Sequence, residues 1–221
     1  MIRKTLITLL KSISPKYYSY VKSYHCLIRA KDSYLHSTGW IECIREGKPI
    51  DLEGEPIPWM NYSVIRILED KLNDSIEMFE FGSGYSTFFY ANKVKSVTSV
   101  EYDESWFKYI RMQLPTNAKL LFTNNDIDGC YCRTITAEGK KFDLVVIDGR
   151  DRVNCIKQSI LCLSSTGVIL LDDSNREKYN EGIDFAKSNG FKFLHIEGLK
   201  PSGSRLDRTT IFYREKNCLG I

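Results

Sequence analysis

Between residues 75 and 190, short apolar runs alternate with stretches whose apolar residues recur at helical spacing. Residues 76–81, 96–100, 119–123, 142–147 and 168–171 read as strands. Residues 86–92, 104–114, 152–163 and 176–189 read as the helices between them, with Pro115 and Gly190 closing two of these. Residues 124–141 are polar and read as a loop. Strands that take turns with helices require a parallel sheet, because each crossover helix lands on a sheet face and covers it. Two further strand patterns, 191–197 and 209–214, leave no room for a helix between them. The loop joining them, 198–208, contains Pro201 and Gly203. The expected fold class is therefore α/β: a doubly wound, seven-stranded sheet, mostly parallel, ending in an antiparallel hairpin.

A helical extension precedes this body. Ile2, Leu6, Leu9 and Ile13 share one helical face that Pro15 should end, and Tyr17, Tyr20, Val21, Tyr24, Leu27 and Ile28 form a second. A third helix is expected from Asp32 or Ser33 to Arg45, with Trp40, Ile41 and Ile44 inward and Gly47 after its end. Residues 48–60 hold Pro49, Gly54, Pro56 and Pro58, and the boundary falls here: 1–60 is the extension and loop, 61–221 the main domain. A fourth helix starts near Asn61, with Val64, Ile65 and Leu68 inward.

Charge is uneven. Residues 1–31 carry seven Lys and Arg and no acid, so a total of +3 leaves −4 for the rest. An acidic body argues against a nucleic-acid partner. The basic arm has two readings: helices packed on the body with a solvated rim, or attachment to an anionic membrane surface or acidic partner. A second copy of the chain is a further candidate partner. Seven scattered cysteines, with Cys130 and Cys132 the one close pair, are poor zinc ligands and fit reduced thiols. The opening residues lack a cleavage site, and no apolar run is long enough to span a bilayer. The expected location is the cytoplasm, with the arm free to touch the inner face of the membrane.

The most informative stretch is 76–90, where the first strand runs through Glu80 into Gly82-Ser83-Gly84 and then into a helix that Ser86 or Thr87 can cap. In an open α/β sheet, ligands bind beyond the C-terminal strand ends. Every such end here holds an acid or amide: Glu80, Glu101, Asn125 with Asp126, Asp148, and Asp172 with Asp173. Glu101, 21 residues past Glu80, is placed to grip ribose hydroxyls. NAD and S-adenosylmethionine both meet these demands. Three features tilt towards the second. Thr87 stands where a dinucleotide loop wants Gly or Ala. Glu80 suits a cation better than a pyrophosphate. The closing hairpin departs from the plain dinucleotide fold.

Glu80-Phe81-Gly82-Ser83-Gly84, Val100-Glu101-Tyr102-Asp103, the run 143–149 and the run 167–173 together resemble the ordered motifs of class I S-adenosylmethionine-dependent methyltransferases, which have a Rossmann-like fold. The resemblance covers about residues 61–215. The run Ile147-Asp148-Gly149-Arg150-Asp151-Arg152 is similar to a bacterial subgroup of uncertain substrate. The resemblance implies that Gly82 and Gly84 pass the methionine portion of the cofactor, that Glu80 sits by its amino group and that Glu101 holds the ribose. It places Asp126, or Asn125 beside it, at the adenine amino group. Ser83, Ser86, Tyr102 and Asp148 complete the expected cofactor set.

The acceptor side is read from the other strand ends. Asp148 is the first candidate general base, with Asp172 beside it and His195 as a further catalytic candidate, the alternative for His195 being a packed strand residue. Resemblance to catechol-type O-methyltransferases makes Asp148, Asp172 and Asp173 candidate ligands for Mg²⁺ or Mn²⁺, although Asp173 stands where that family has Asn; their alternative role is helix capping. Arg150 and Arg152 are candidate acceptor-binding residues, as are Arg205 in the final loop and Trp59. The expected activity is O-methylation of a sugar, polysaccharide precursor or other small polar acceptor. An NAD-dependent oxidoreductase and a non-catalytic scaffold are the alternatives.

Overall fold

The computed structural model describes residues 11–221. The strands are β1 (Glu77–Phe81), β2 (Ser96–Glu101), β3 (Ala118–Phe122), β4 (Phe142–Ile147), β5 (Leu163–Leu171), β6 (Lys192–Gly198) and β7 (Asp207–Tyr213). They form one sheet in the order β3-β2-β1-β4-β5-β7-β6. The first five run parallel. The last strand is antiparallel to both of its neighbours, so β7 is inserted between β5 and β6. The expected hairpin forms, and the insertion is a feature that local sequence pattern does not encode.

Nine helices are described: α1 (Pro15–Arg29), α2 (Tyr34–Ser37), α3 (Trp40–Glu46), α4 (Tyr62–Lys71), α5 (Tyr85–Ala91), α6 (Glu104–Arg111), α7 (Cys130–Ala137), α8 (Arg152–Cys162) and α9 (Asn180–Ser188). Successive strand residues point to opposite faces, and here both faces are buried. Phe79, Phe81, Val145, Ile147, Ile169 and Leu171 pack towards α7, α8 and α9 through Tyr131, Ile135, Cys155, Ile156 and Ile183. Met78, Leu144, Val146, Val168 and Leu170 pack towards α4 and α5 through Val64, Ile65, Leu68, Phe89 and Tyr90. This two-sided burial explains why the strands read as continuous apolar runs. Truncating fully buried Phe79 to Ala would cost about 3–5 kcal/mol. Glu80 is a buried acid on the α5 side of β1, with buried Ser99 opposite it on β2.

Several expectations are corrected. The third helix is broken at Gly39, which adopts φ +77 and packs so closely that a Cβ would lie 2.9 Å from the Ile50 carbonyl oxygen. Two short helices, α2 and α3, result. The supposed loop 124–141 contains α7, whose inward residues Tyr131, Cys132 and Ile135 are hidden in the sequence by polar flanks. Strand β5 starts at Leu163, directly after α8, rather than at Val168. The helix expected from Arg176 opens as a 3₁₀ turn, Glu177–Tyr179, before α9. Of the first expected helix, residues 1–10 lie outside the described residues; 11–13 are helical, and Pro15 begins the next helix.

Helix α1 buries no residue, so the reading of it as packed on the body is not met. Tyr17, Tyr20, Val21, Tyr24 and Leu27 form an exposed stripe, and helical spacing puts Lys22 and Arg29 on the opposite face. Among the described residues, no helix is long and apolar enough to cross a membrane. The rest of the extension docks on the body. The Trp40 Nε1–H donates to the Gly203 carbonyl at 2.8 Å, and the Trp59 Nε1–H to the Pro201 carbonyl at 2.8 Å. Asn61 caps α4 by accepting from the Val64 N–H, while its Nδ2 donates to the Ile196 carbonyl and to Thr209.

Candidate functional site

Beyond the C-terminal ends of β1, β2 and β4 lies a cleft of about 880 Å³. Glycines make it possible. Gly82, at φ +96, turns the chain out of β1, and a Cβ there would come within 3.2 Å of the Gly149 nitrogen. A Cβ on Gly149 would collide with the Tyr131 hydroxyl at 1.9 Å. The two strand ends therefore meet glycine to glycine. Gly84 has an extended φ of 167, and a Cβ there would find only ordinary contact with Trp106.

Behind this turn, Glu80 is buried and accepts three hydroxyl hydrogen bonds: from Ser86, from Thr87 at 2.6 Å and from Ser99 at 2.6 Å. Burial raises its pKa to about 7; the three hydroxyls pull the other way, and nearby Glu101 adds to the rise. Thr87 Oγ1 also accepts from the Gly84 N–H at 3.1 Å, so it ties the glycine turn to Glu80. Neither Ser86 nor Thr87 is the residue preceding the helix; Gly84 holds that place, and both hydroxyls turn back into the strand end.

Glu101 closes the opposite wall. Its Oε1 accepts from the Tyr102 and Asp103 N–H groups at 2.8 and 2.9 Å; its Oε2 accepts from the Ser83 N–H at 3.1 Å and the Ser83 hydroxyl at 2.8 Å. One carboxylate thus joins the glycine turn to the end of β2 and presents its edge to the cleft. Trp106 Nε1–H donates to the Ser83 carbonyl at 2.8 Å, and its ring stacks on Tyr109. Sequence reading missed Trp106. The signal was present: Asp103 caps α6 by accepting from the Trp106 N–H, which places that ring in the first turn beside the glycines.

The expected cofactor residues Glu80, Gly82, Ser83, Ser86, Glu101, Tyr102, Asp126 and Asp148 all line this cleft; Gly84 does not. Asp126 carries a structural duty as well. Its two oxygens accept from the Cys130 and Tyr131 N–H groups at 2.6 and 2.9 Å, which starts α7 and holds its pKa down. Asn125, its neighbour, also lines the cleft. Arg150 reaches across to β2, donating from Nε to the Tyr102 hydroxyl at 3.0 Å with its guanidinium over the Tyr102 ring.

Asp148 lines the cleft at the end of β4. Its side chain is 34% open, yet the groups around it are dense enough that burial raises its pKa to about 6, against the pull of Arg152. Arg152 lines the cleft, as expected of an acceptor-binding candidate, but is only 7% exposed. It donates to the carbonyls of Gly149, Asp172 and Asp148 and to Asp148 Oδ1 at 2.9 Å, so four of its five N–H groups are spent on joining β4 to β5. Arg176, Lys178 and Tyr179, from the segment after β5, line the cleft and were not anticipated.

Other expectations fall outside the cleft. His195 lies mid-strand on β6, at the sheet edge, with Nδ1 2.8 Å from Thr210 Oγ1 and its ring against Phe193. It is a strand residue rather than a base at this cleft. Trp59 anchors the β6–β7 loop as described, and Arg205 is exposed on that loop. Neither borders the cleft.

Asp148, Asp172 and Asp173 do converge, offering oxygens within 4.8 Å of one another. The cations of the protein already stand among them. Arg152 Nη2 is 2.9 Å from Asp148 Oδ1 and 3.6 Å from Asp173 Oδ2. Lys200 Nζ is 2.9 Å from Asp173 Oδ1 and 3.6 Å from Asp172 Oδ2, and Arg176 pairs with Asp173 as well. A divalent ion would be forced against an ammonium and a guanidinium, so these residues do not fit a bound metal, and the metal expectation is corrected. Asp172 is also pushed up to about 7, by burial first and by Asp148 second.

No protein-family model matches the chain, and no curated protein matches it by sequence. Solved structures do match by shape. A Klebsiella pneumoniae protein described provisionally as an O-methyltransferase shares 14% identity at a TM-score of 0.55, covering 88% of this chain and 96% of that one. Precorrin 8w decarboxylase from Methanobacterium thermoautotrophicum shares 14% at 0.53, over 76% and 97%. Precorrin-6y C5,15-methyltransferase from Geobacter metallireducens shares 16% at 0.52, over 67% and 86%. At such identities the likeness is one of fold: the chain has the Rossmann-like fold of the class I S-adenosylmethionine-dependent methyltransferases.

Proposed function

We propose that this chain is an S-adenosylmethionine-dependent methyltransferase acting on an oxygen of a small polar acceptor, such as a sugar or polysaccharide precursor. The observation that carries this reading is Glu101: a buried carboxylate at the end of β2, locked by Ser83 and by two backbone N–H groups, on the wall of an 880 Å³ cleft. Its four acceptor positions are taken by these donors, and a ribose hydroxyl is accepted by displacing the Ser83 hydroxyl from Oε2, with the carboxylate already held in place by the three N–H groups. The donor set fits the cofactor: Glu80 and Glu101 accept hydrogen bonds, and Trp106 and Tyr102 offer flat apolar surface. When bound, S-adenosylmethionine supplies an electrophilic methyl group on a sulfonium.

The remaining work belongs to the protein. Glu80, held by three hydroxyls, sits where a cationic amino group is favoured and a pyrophosphate is not. Asp148 keeps Oδ1 on Arg152 and is partly open to the cleft, so it can take the proton of an acceptor hydroxyl. A carboxyl raised to about 6 is still mostly ionised near neutrality and is a better base than an ordinary Asp. Arg150, Arg176 and Lys178 give the acceptor end a cationic rim suited to a polar or anionic molecule. Seven free thiols support a reducing, cytoplasmic setting.

The test is transfer of label from methyl-labelled cofactor to a panel of nucleotide sugars and glycans, with and without chelator. Label on an acceptor oxygen, unchanged by chelator and lost in Glu101→Ala and Asp148→Asn, is the expected result. Label appearing only on amines or nucleic acid would contradict the acceptor class.

A further inference from the structure

The loop 199–206, between β6 and β7, is held by the N-terminal part of the chain in a regular way. The Leu199 carbonyl accepts from the Tyr62 N–H at 2.9 Å, the Pro201 carbonyl from Trp59 Nε1–H at 2.8 Å and the Gly203 carbonyl from Trp40 Nε1–H at 2.8 Å. Alternate carbonyls thus face the extension and the start of α4. Lys200, between the first two of them, turns its side chain inward. Its ammonium lies 2.9 Å from Asp173, 3.5 Å from Asp207 and 3.6 Å from Asp172.

This is a concentrated charge cluster. Asp172 and Asp207 are 0% and 5% exposed, and each has an Oδ2 that is buried with no hydrogen-bond partner. Both of these oxygens lie within 3.6 Å of Lys200 Nζ. Four carboxylates, Asp148, Asp172, Asp173 and Asp207, face three cations, Arg152, Arg176 and Lys200. With all groups charged the cluster carries a single net negative charge. Adding a divalent ion would reverse that sign in a buried region, whereas exchanging Lys200 for the ion would not.

We infer that Lys200 is the resident cation of this carboxylate cluster, occupying the place a divalent metal would otherwise take, and that the N-terminal extension sets its position through Trp40 and Trp59. Lys200 is a positioning residue: it holds Asp172 and Asp173 from behind, so that Arg152 can hold Asp148 at the cleft. Coulombic attraction in a water-poor setting makes one well-placed ammonium a strong organiser of several carboxylates. The inference concerns cation occupancy alone and stands or falls apart from the methyl-transfer reading.

The experiment is Mn²⁺ titration of the full chain followed by electron paramagnetic resonance, with circular dichroism to confirm folding. The wild-type protein should bind no Mn²⁺ at the cluster. Lys200→Met, which keeps the stem and removes the charge, should gain one Mn²⁺ site that the wild type lacks; adding Asp172→Asn should abolish that site. Trp40→Phe with Trp59→Phe retains the lysine but frees its loop, and should show a smaller gain, which keeps the inference testable if Lys200→Met fails to fold. Mn²⁺ bound by the wild type and lost on Asp172→Asn would overturn it. So would folded Lys200→Met, or the folded double tryptophan variant, with no gain in Mn²⁺ binding.

Discussion

Thr87 and Glu80 are seven residues apart, and Thr87 Oγ1 donates to Glu80 Oε2 at 2.6 Å while accepting from the Gly84 N–H. The hydroxyl is fully buried. It therefore links the end of β1, the glycine turn and the first turn of α5 in a single chain of hydrogen bonds. A Gly or Ala at position 87 would allow close helix packing but would leave the Gly84 N–H without a partner and take one of three hydroxyls from Glu80. The loop at 82–84 is shaped around an acid as much as around its glycines.

Replacing Thr87 with Val keeps the shape and removes the hydroxyl. The Gly84 N–H is then left unsatisfied, at about 1–3 kcal/mol, while Glu80 keeps its bonds from Ser86 and Ser99. Urea unfolding should show a loss within or above that range, and Thr87→Ser should restore most of it. Equal stability in Thr87→Val and wild type would mean the hydroxyl is dispensable.

Glu80 makes the folding free energy depend on pH in a definite direction. Its folded pKa is raised from 4.5 to about 7, so between these values the folded protein keeps a proton that the unfolded chain releases. Stability contributed by this group is then greatest at low pH and falls as pH rises through about 7. Glu80→Gln should flatten this part of the profile, read as the difference in melting temperature between pH ~5 and pH ~8. An unchanged profile would count against the raised pKa of buried Glu80.

Tyr90 is fully buried, and its hydroxyl has no hydrogen-bond partner. Burial first, and then the carboxylates of Glu80, Asp148 and Asp172, push its pKa well above the usual tyrosine value. Tyr90→Phe removes an unsatisfied buried group and should raise stability by about 1 kcal/mol, measured by denaturant midpoint. A loss of that size would instead reveal a partner for the hydroxyl in solution.

The parts of this fold that were legible in the sequence are those set by local pattern. Two-sided burial made the strands apolar runs, and the acids at their ends marked the cleft, which Glu80, Ser83, Glu101 and Asp148 line. What was hidden depends on contacts distant in sequence. Helix α7 escaped notice because Asp126, outside it, starts it. Arg152 read from the sequence as an acceptor-binding residue, and nothing local shows that the ends of β4 and β5 meet on it. Lys200 sits in a turn-rich loop with no local signal, and only the insertion of β7 brings it to Asp172 and Asp173. His195 misled for the complementary reason: a strand position gives no clue to whether that strand borders the cleft or the sheet edge.

Glu101 offers a graded test of cofactor binding. Removing a charged hydrogen-bonding partner costs about 1.5–3 kcal/mol, which is roughly tenfold to a hundredfold in affinity. Glu101→Ala should weaken S-adenosylhomocysteine by that factor, while Arg205→Ala, on the exposed loop away from the cleft, should leave it unchanged. Calorimetric titration of both variants distinguishes a specific contact from general destabilisation.

The most direct measurement is calorimetric titration of the wild-type chain with S-adenosylhomocysteine and, separately, with NAD. A cleft built on Glu80 and Glu101 predicts saturable one-to-one binding of S-adenosylhomocysteine and none of NAD. Binding of NAD without S-adenosylhomocysteine would contradict the methyltransferase reading and make the chain a dinucleotide-binding protein; binding of neither would make it a scaffold.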